Sequence, residues 1–188
     1  MLSAAVAITG CTLLGPRPNG AQQPSEPAPT STSTTPPPPP RPHEVPLEGV
    51  DPCSLLTAPQ RKQFSFDRSP TRGTDTSMAQ AKVCDFRDSV SALSARIALV
   101  TAEGIEVWED PIAQNQTRRT LVAGFPALVV RSDNREGFCN VEVDVANGQF
   151  LDVMYGNAGS PTPPAFDNLC LSAQQVAAAV MTTLANRG

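Results

Sequence analysis

Residues 141–155, VEVDVANGQFLDVMY, decide the fold. Val141, Val143 and Val145 alternate with Glu142 and Asp144, Asn147-Gly148 offers a turn able to take positive φ, and Leu151, Val153 and Tyr155 alternate again. A period of two on both sides of an Asn-Gly pair predicts a β-hairpin with one apolar face. Upstream, Lys82 to Asp88 and Ala95 to Val100 are expected strands joined by a short polar loop, and Pro126 to Arg131 is another after the turn Ala123-Gly124.

Helices are expected at both ends of this strand-rich region. Asp51-Pro52-Cys53-Ser54-Leu55-Leu56 sets a capping carboxylate before a proline, which loses nothing at the first helical position. Thr57-Ala58-Pro59-Gln60 adds a T-x-x-Q capping box that is expected to restart or continue the helix to about Phe64. Ser172-Ala173-Gln174-Gln175 repeats the device ahead of Val176, Val180 and Leu184, which share a face with Ala173 and Ala177 and predict an amphipathic helix over about 172–185. The fold class expected is α+β, an antiparallel sheet of about five strands packed with N- and C-terminal helices. Residues 65–80 and 156–168 are expected loops, and Gly104 to Asn115, with the only tryptophan at Trp108, a short helix that Pro111 breaks early.

Composition divides the chain of 188 residues. Of its 20 prolines, 12 lie before position 50, among them the run Pro36 to Pro40. Residues 12–49 have almost no large apolar side chain to offset ordering entropy and are expected to be a disordered Pro/Ser/Thr-rich tether, with polyproline II in the proline run. Residues 50–188 are then a single globular domain. The 2 basic and 3 acidic residues before position 50 leave 12 basic and 15 acidic after it, a mild net −3 that supplies no field for phosphate or nucleic acid.

Residues 1–11 place the protein. The run Met1 to Gly15 is small, apolar and uncharged, and shorter than the roughly 20 residues that cross a bilayer as a helix. Within it Ile8-Thr9-Gly10-Cys11 resembles the bacterial lipobox, in which the cysteine receives lipid and the preceding residues are cleaved. Two or three acyl chains on Cys11 would anchor the chain stably to the outer face of the cell membrane. No Lys or Arg precedes the apolar run, so the true start codon is expected upstream.

Outside the lipobox four cysteines remain, and an even number in an exported domain predicts two disulfides with three possible connectivities. Cys53 and Cys170 stand near terminal helices, whereas Cys84 and Cys139 lie in strand patterns, Cys139 on the face of Val141 and Val143. These contexts predict nested pairing, Cys53–Cys170 and Cys84–Cys139. No C-x-x-C spacing suggests redox chemistry.

The order of lipobox, tether, Asp51-Pro52-Cys53-Ser54-Leu55-Leu56-Thr57, a strand cysteine at Cys84, Ala123-Gly124-Phe125-Pro126-Ala127 and Cys139-Asn140-Val141-Glu142-Val143 resembles the actinobacterial lipoproteins grouped as domain of unknown function 3558. The resemblance spans about residues 48–186 and implies a surface lipoprotein of unassigned activity.

Catalytic constellations are scarce. The single histidine, His43, lies in the tether region, which excludes Ser-His-Asp and Cys-His triads and leaves no set of histidine ligands for zinc or haem. Glu103, Glu106, Glu109 and Asp110 lack a calcium-loop spacing and are expected on a solvated face. Ser89, Ser91 and Ser94 have no activating histidine, Lys62 and Lys82 stand in no S-x-x-K pattern, and the glycines are isolated. The Asn115-Gln116-Thr117 sequon is rarely used in a bacterial lipoprotein. No cofactor, metal or nucleic acid is expected. The expected function is that of a monomeric, non-enzymatic binding module for an envelope protein, a glycan or a small molecule. The alternatives are a carrier of a small apolar ligand or lipid in a pocket lined by Phe86, Ile97, Leu99 or Trp108, and an envelope enzyme or enzyme accessory, such as a hydrolase using carboxylates about 5–9 Å apart as glycosidases do.

Overall fold

Seven strands and two helices make up a computed structural model, which describes residues 37–110, 112, 115–132 and 137–187. The strands are Thr71–Asp75 (β1), Ala81–Arg87 (β2), Leu93–Val100 (β3), Asn115–Val122 (β4), Phe125–Ser132 (β5), Phe138–Ala146 (β6) and Gln149–Asn157 (β7). Ala58–Gln63 (α1) precedes them and Phe166–Ala185 (α2) follows. They form one antiparallel sheet in the order β1-β2-β3-β7-β6-β5-β4. Cys11, the lipobox and residues 12–36 lie outside the described residues.

The hairpin predicted from the alternation is β6–β7, with Val141 opposite Val153 and Val143 opposite Leu151. Gly148 turns it at φ +68°, and a register shift between Asp144 and Ala146 adjusts the strand before the turn. Between β4 and β5 the loop is only two residues, Ala123 and Gly124, both at positive φ, as a primed turn requires.

Sheet parity separates two faces. Cys84, Phe86, Ile97, Val141, Val143, Val153 and Tyr155 point to one side, into a core where α2 buries Leu169, Ala173, Val176, Val180 and Leu184 over β6 and β7, and Leu55, Leu56 and Phe66 complete the same cluster beside β2 and β3. On the other side Ala81, Val83, Ala98, Val100 and Phe150 form a small cluster met by Ile105 and Trp108. That covering follows from the strand order. β3 is followed in the chain by β4 at the far edge, so residues 101–114 must cross β7, β6 and β5, about 19 Å at ordinary strand spacing.

Several expectations need correction. The strand count is seven rather than about five, because β1 (TRGTD) and β4 (NQTRRTLV) are polar edge strands that carry no apolar alternation. The upstream helix divides into a single 3-10 turn, Pro52–Ser54, and the six-residue α1. Asp51 does cap Cys53 N–H at 3.0 Å, and the Thr57/Gln60 capping box forms as written in the sequence. α2 starts at Phe166, six residues before the Ser172 capping box, straight after the prolines at 161, 163 and 164, with Arg131 stacked 4.5 Å over the Phe166 ring. Of the described residues between 104 and 115, Ile105–Glu109 form a 3-10 helix and Asn115 begins β4.

The disulfides are sequential: Cys53–Cys84 and Cys139–Cys170. The nested scheme fails on strand order. β2 and β6 are three strand spacings apart, about 14 Å, whereas a disulfide needs Cα atoms within about 7 Å. Both observed bridges join Cα atoms 5.1 Å apart and close 31-residue separations, one fastening the Pro52–Ser54 turn to β2 and the other α2 to β6. In the chain-entropy account each contributes about 3–4 kcal/mol.

The boundary at position 50 also moves. Val45 and Leu47 are buried, Val45 N–H donates to Val145 O at 2.8 Å, and Leu47 N–H donates to Gln149 Oε1 at 2.9 Å. Arg41 reaches Asp144 at 2.6 Å, and His43 packs edge-on against Phe125. Two apolar side chains two residues apart were enough to lay this strap on the hairpin, so the folded domain begins near Arg41.

Candidate binding pocket on the open face of the sheet

The crossover leaves a cavity of about 340 Å³ between itself and the sheet. Gly104 begins its 3-10 turn, Trp108 stands edge-on to Phe150 with centroids 6.5 Å apart, and Glu103 and Val107 complete the roof. Asp152 and Met154 of β7, with Asn140 of β6, form the floor. Arg96 of β3 and Asp75 of β1 form the wall.

These polar groups hold one another in place. Asn140 donates to Asp152 Oδ1 at 2.8 Å. Arg96 donates through Nε to Asp85 at 2.9 Å and through Nη1 to Asp75 at 3.3 Å, and the bond to Asp85 raises the guanidinium's pKa. Directly across the strand pair from Asp152 lies Glu142, which is 0 % exposed. Burial pushes the Glu142 carboxyl well above the ordinary range, and the charge of Asp152 adds to the effect. Burial also raises Asp152, to about 6, opposed by the Asn140 and Glu142 hydrogen bonds. With both carboxyls ionised, neither oxygen of Glu142 has a donor. Burial and like-charge repulsion both favour keeping a proton on the pair, and a proton on Glu142 would let it donate to Asp152. Trp108 Nε1–H is likewise shielded from solvent and has no acceptor.

The residues singled out in the sequence are dispersed. Glu103 lines the pocket, Glu109 pairs with Arg119 at 2.8 Å, and Asp110 caps Ile112 N–H. Glu106 lies exposed on the turn. Ser89 and Ser91 bond Asp67 and Asp88 in surface turns. Of the four residues expected to line an apolar pocket, Trp108 does line this one, but Phe86, Ile97 and Leu99 are buried in the core on the opposite face of the sheet. Among the described residues no three His, Cys, Asp or Glu side chains are grouped to hold a metal, and no helix is long and apolar enough to cross a membrane. A wider depression of about 710 Å³ beside α1 interleaves Arg61, Lys62 and Arg68 with Asp67 and Asp88.

Sequence reasoning missed Glu142, Asp152 and Arg96. Glu142 sits at the polar parity of the hairpin, where alternation predicts solvent. A signal was nevertheless present: Phe150 and Met154 share the parity of Asp152, and large apolar residues on both sides of an acid indicate a covered face.

Fold and site together define a disulfide-braced antiparallel sheet with a helix on one face and an acid-lined pocket on the other. The chain belongs to the family described as protein of unknown function (DUF3558), whose sequence model matches residues 6–183. No curated protein and no solved structure matches it.

Proposed function

We propose that the chain is an extracytoplasmic lipoprotein acting as a non-enzymatic binding module, held to the membrane through acyl chains on Cys11 and presenting the open-face pocket to a ligand in the cell envelope. The observation that carries this reading is the pocket itself: about 340 Å³, within the range of small-molecule sites, with convergent side chains already fixed by hydrogen bonds. Preorganisation of that kind favours binding, since little ordering remains to be done when the ligand arrives.

Catalysis has less support. Glycosidase carboxyls stand about 5–9.5 Å apart on either side of the scissile bond, whereas Glu142 and Asp152 are directly opposed neighbours on adjacent strands and Glu142 is fully buried. A carrier of bulky apolar lipid also has less, because the large aliphatic residues are consumed by the contact with α2.

Two measurements test the reading. Cys11→Ser in the full chain is expected to release the protein from the membrane to the aqueous fraction, and continued retention would overturn the anchoring. Cross-linking from a photoreactive residue at Val107 in the pocket roof, in living cells, is expected to trap a ligand. Cross-linking from exposed Val90, remote from the pocket, serves as the comparison, and equal capture at both positions would overturn the pocket as the binding face.

A further inference from the structure

We propose that the open-face pocket is a site for a small organic cation, a protonated amine carried on a short apolar or aromatic body. The inference rests on the reading of that pocket as the binding site and adds the chemistry of what it takes.

Charge is the first argument. Among the described residues that line the cavity, Asp75, Glu103 and Asp152 are acidic and Arg96 is the single cation. The Arg96 guanidinium is already spread between Asp75 and Asp85. An anionic ligand would face this excess of carboxylate. An uncharged apolar ligand would leave the carboxylates of Asp75, Glu103 and Asp152 without an added countercharge and would seal Asp152 still further from water, at a cost in free energy.

The second argument is Glu142. It is fully buried beside Asp152 on the same sheet face, and neither of its oxygens has a donor unless the pair retains a proton. Two adjacent buried acids destabilise a fold, and well-packed apolar residues of similar volume would be neutral or better there. An ammonium group docked on Asp152 would place a countercharge above both carboxyls. It would donate to Asp152 in a charge-assisted hydrogen bond, with the Glu142 proton held on the far side of the same carboxylate.

The third argument is aromatic. Trp108 and Phe150 line the same cavity, and an alkylammonium beside an indole or phenyl face gains cation–π attraction while its body fills the apolar part between Met78 and Met154.

Trp108 is the only tryptophan of the chain, so its fluorescence and its indole N–H resonance read this pocket directly. The full-length protein is titrated at pH 7.5 with three probes of one shape: 2-phenylethylamine, 2-phenylethanol and phenylacetate. The amine is expected to shift both Trp108 signals and to bind about tenfold or more tightly than the alcohol, a difference of about 1.4 kcal/mol, with phenylacetate weakest. Asp152→Asn is expected to remove that preference while leaving the alcohol unchanged. Glu103→Gln in the roof, away from the buried pair, is expected to reduce it severalfold and serves if Asp152→Asn does not fold. Alcohol or acid binding as tightly as the amine would overturn the cation assignment and leave the pocket standing as a binding site. Silence of Trp108 to all three probes at millimolar concentration would overturn both.

Discussion

On one face of the sheet α2 packs Leu169, Val176 and Val180 onto β6 and β7, Phe66 and the Pro52–Ser54 segment cover β2 and β3, and both disulfides end on strand residues of that face. On the opposite face the same strands set Arg96, Glu142 and Asp152 among Phe150 and Met154, beneath a crossover whose described residues include the five-residue 3-10 helix Ile105–Glu109. One face contains what raises stability, and the other contains groups whose burial lowers it. Acids that cost stability and persist under a cover are better explained by use than by packing. The difference between the faces therefore locates function without reference to any catalytic motif.

The comparison predicts a graded set of effects. Largest should be truncation on the closed face: Phe86→Ala is expected to cost about 3–5 kcal/mol in urea unfolding, as for fully buried aromatic residues elsewhere. A cost below about 1 kcal/mol would mean that this face is not the stabilising one. Next comes the bridge fastening α2 to β6. Replacing Cys139 and Cys170 together by serine is expected to cost about 3–4 kcal/mol, and a non-reducing peptide map of the parent should recover the Cys53–Cys84 peptide.

The open face should respond with the opposite sign. Asp152 is raised to about 6 in the fold, against a carboxyl near 4 in the unfolded chain, and burial raises Glu142 in the same direction. Their contribution is full below about pH 4 and is lost as pH rises through about 6, because the folded state holds protons that the unfolded state has released. Asp51, Asp67 and Asp88 act in the other direction: hydrogen bonds from Arg72, Ser89 and Ser91 respectively lower them, so their contribution is present above about pH 4 and lost below it. Glu142→Gln is accordingly expected to gain about 1–2 kcal/mol at pH 8 and little at pH 4, flattening the alkaline side of the stability profile. An unchanged slope between pH 5 and 8 would remove the shared-proton pair from the description. Smallest is the Thr57 capping box at the edge of the closed face, where Gln60 also bonds Ala179 O of α2. Thr57→Ala should cost about 1 kcal/mol, measured the same way, and a neutral result would show that α1 is held by α2 rather than by its own cap.

Local physics made much of the fold legible. The Val141 to Tyr155 alternation identified the central hairpin, Asp51 and the Thr57/Gln60 pair wrote their own caps, and the stripe Ala173-Val176-Ala177-Val180-Leu184 identified the buried side of α2. Edge strands were not legible, since β1 and β4 lie at the margins of the sheet and are built mostly from the polar residues that also mark loops. The site was legible only in fragments, Trp108 and Glu103 among them.

What the amino-acid order determined alone is therefore what depends on neighbours within a few residues: strand period, turn chemistry, helix caps, and the composition that separates the proline-rich segment from the globular part. Which cysteines pair, and which polar residues are buried, depended on the order of strands in the sheet. With β7 inserted between β3 and β6, Cys84 and Cys139 stand too far apart to bond, and the segment joining β3 to β4 has to pass over Glu142 and Asp152. Alternation specifies that a side chain points to one face or the other; only the path of the rest of the chain decides whether that face meets water.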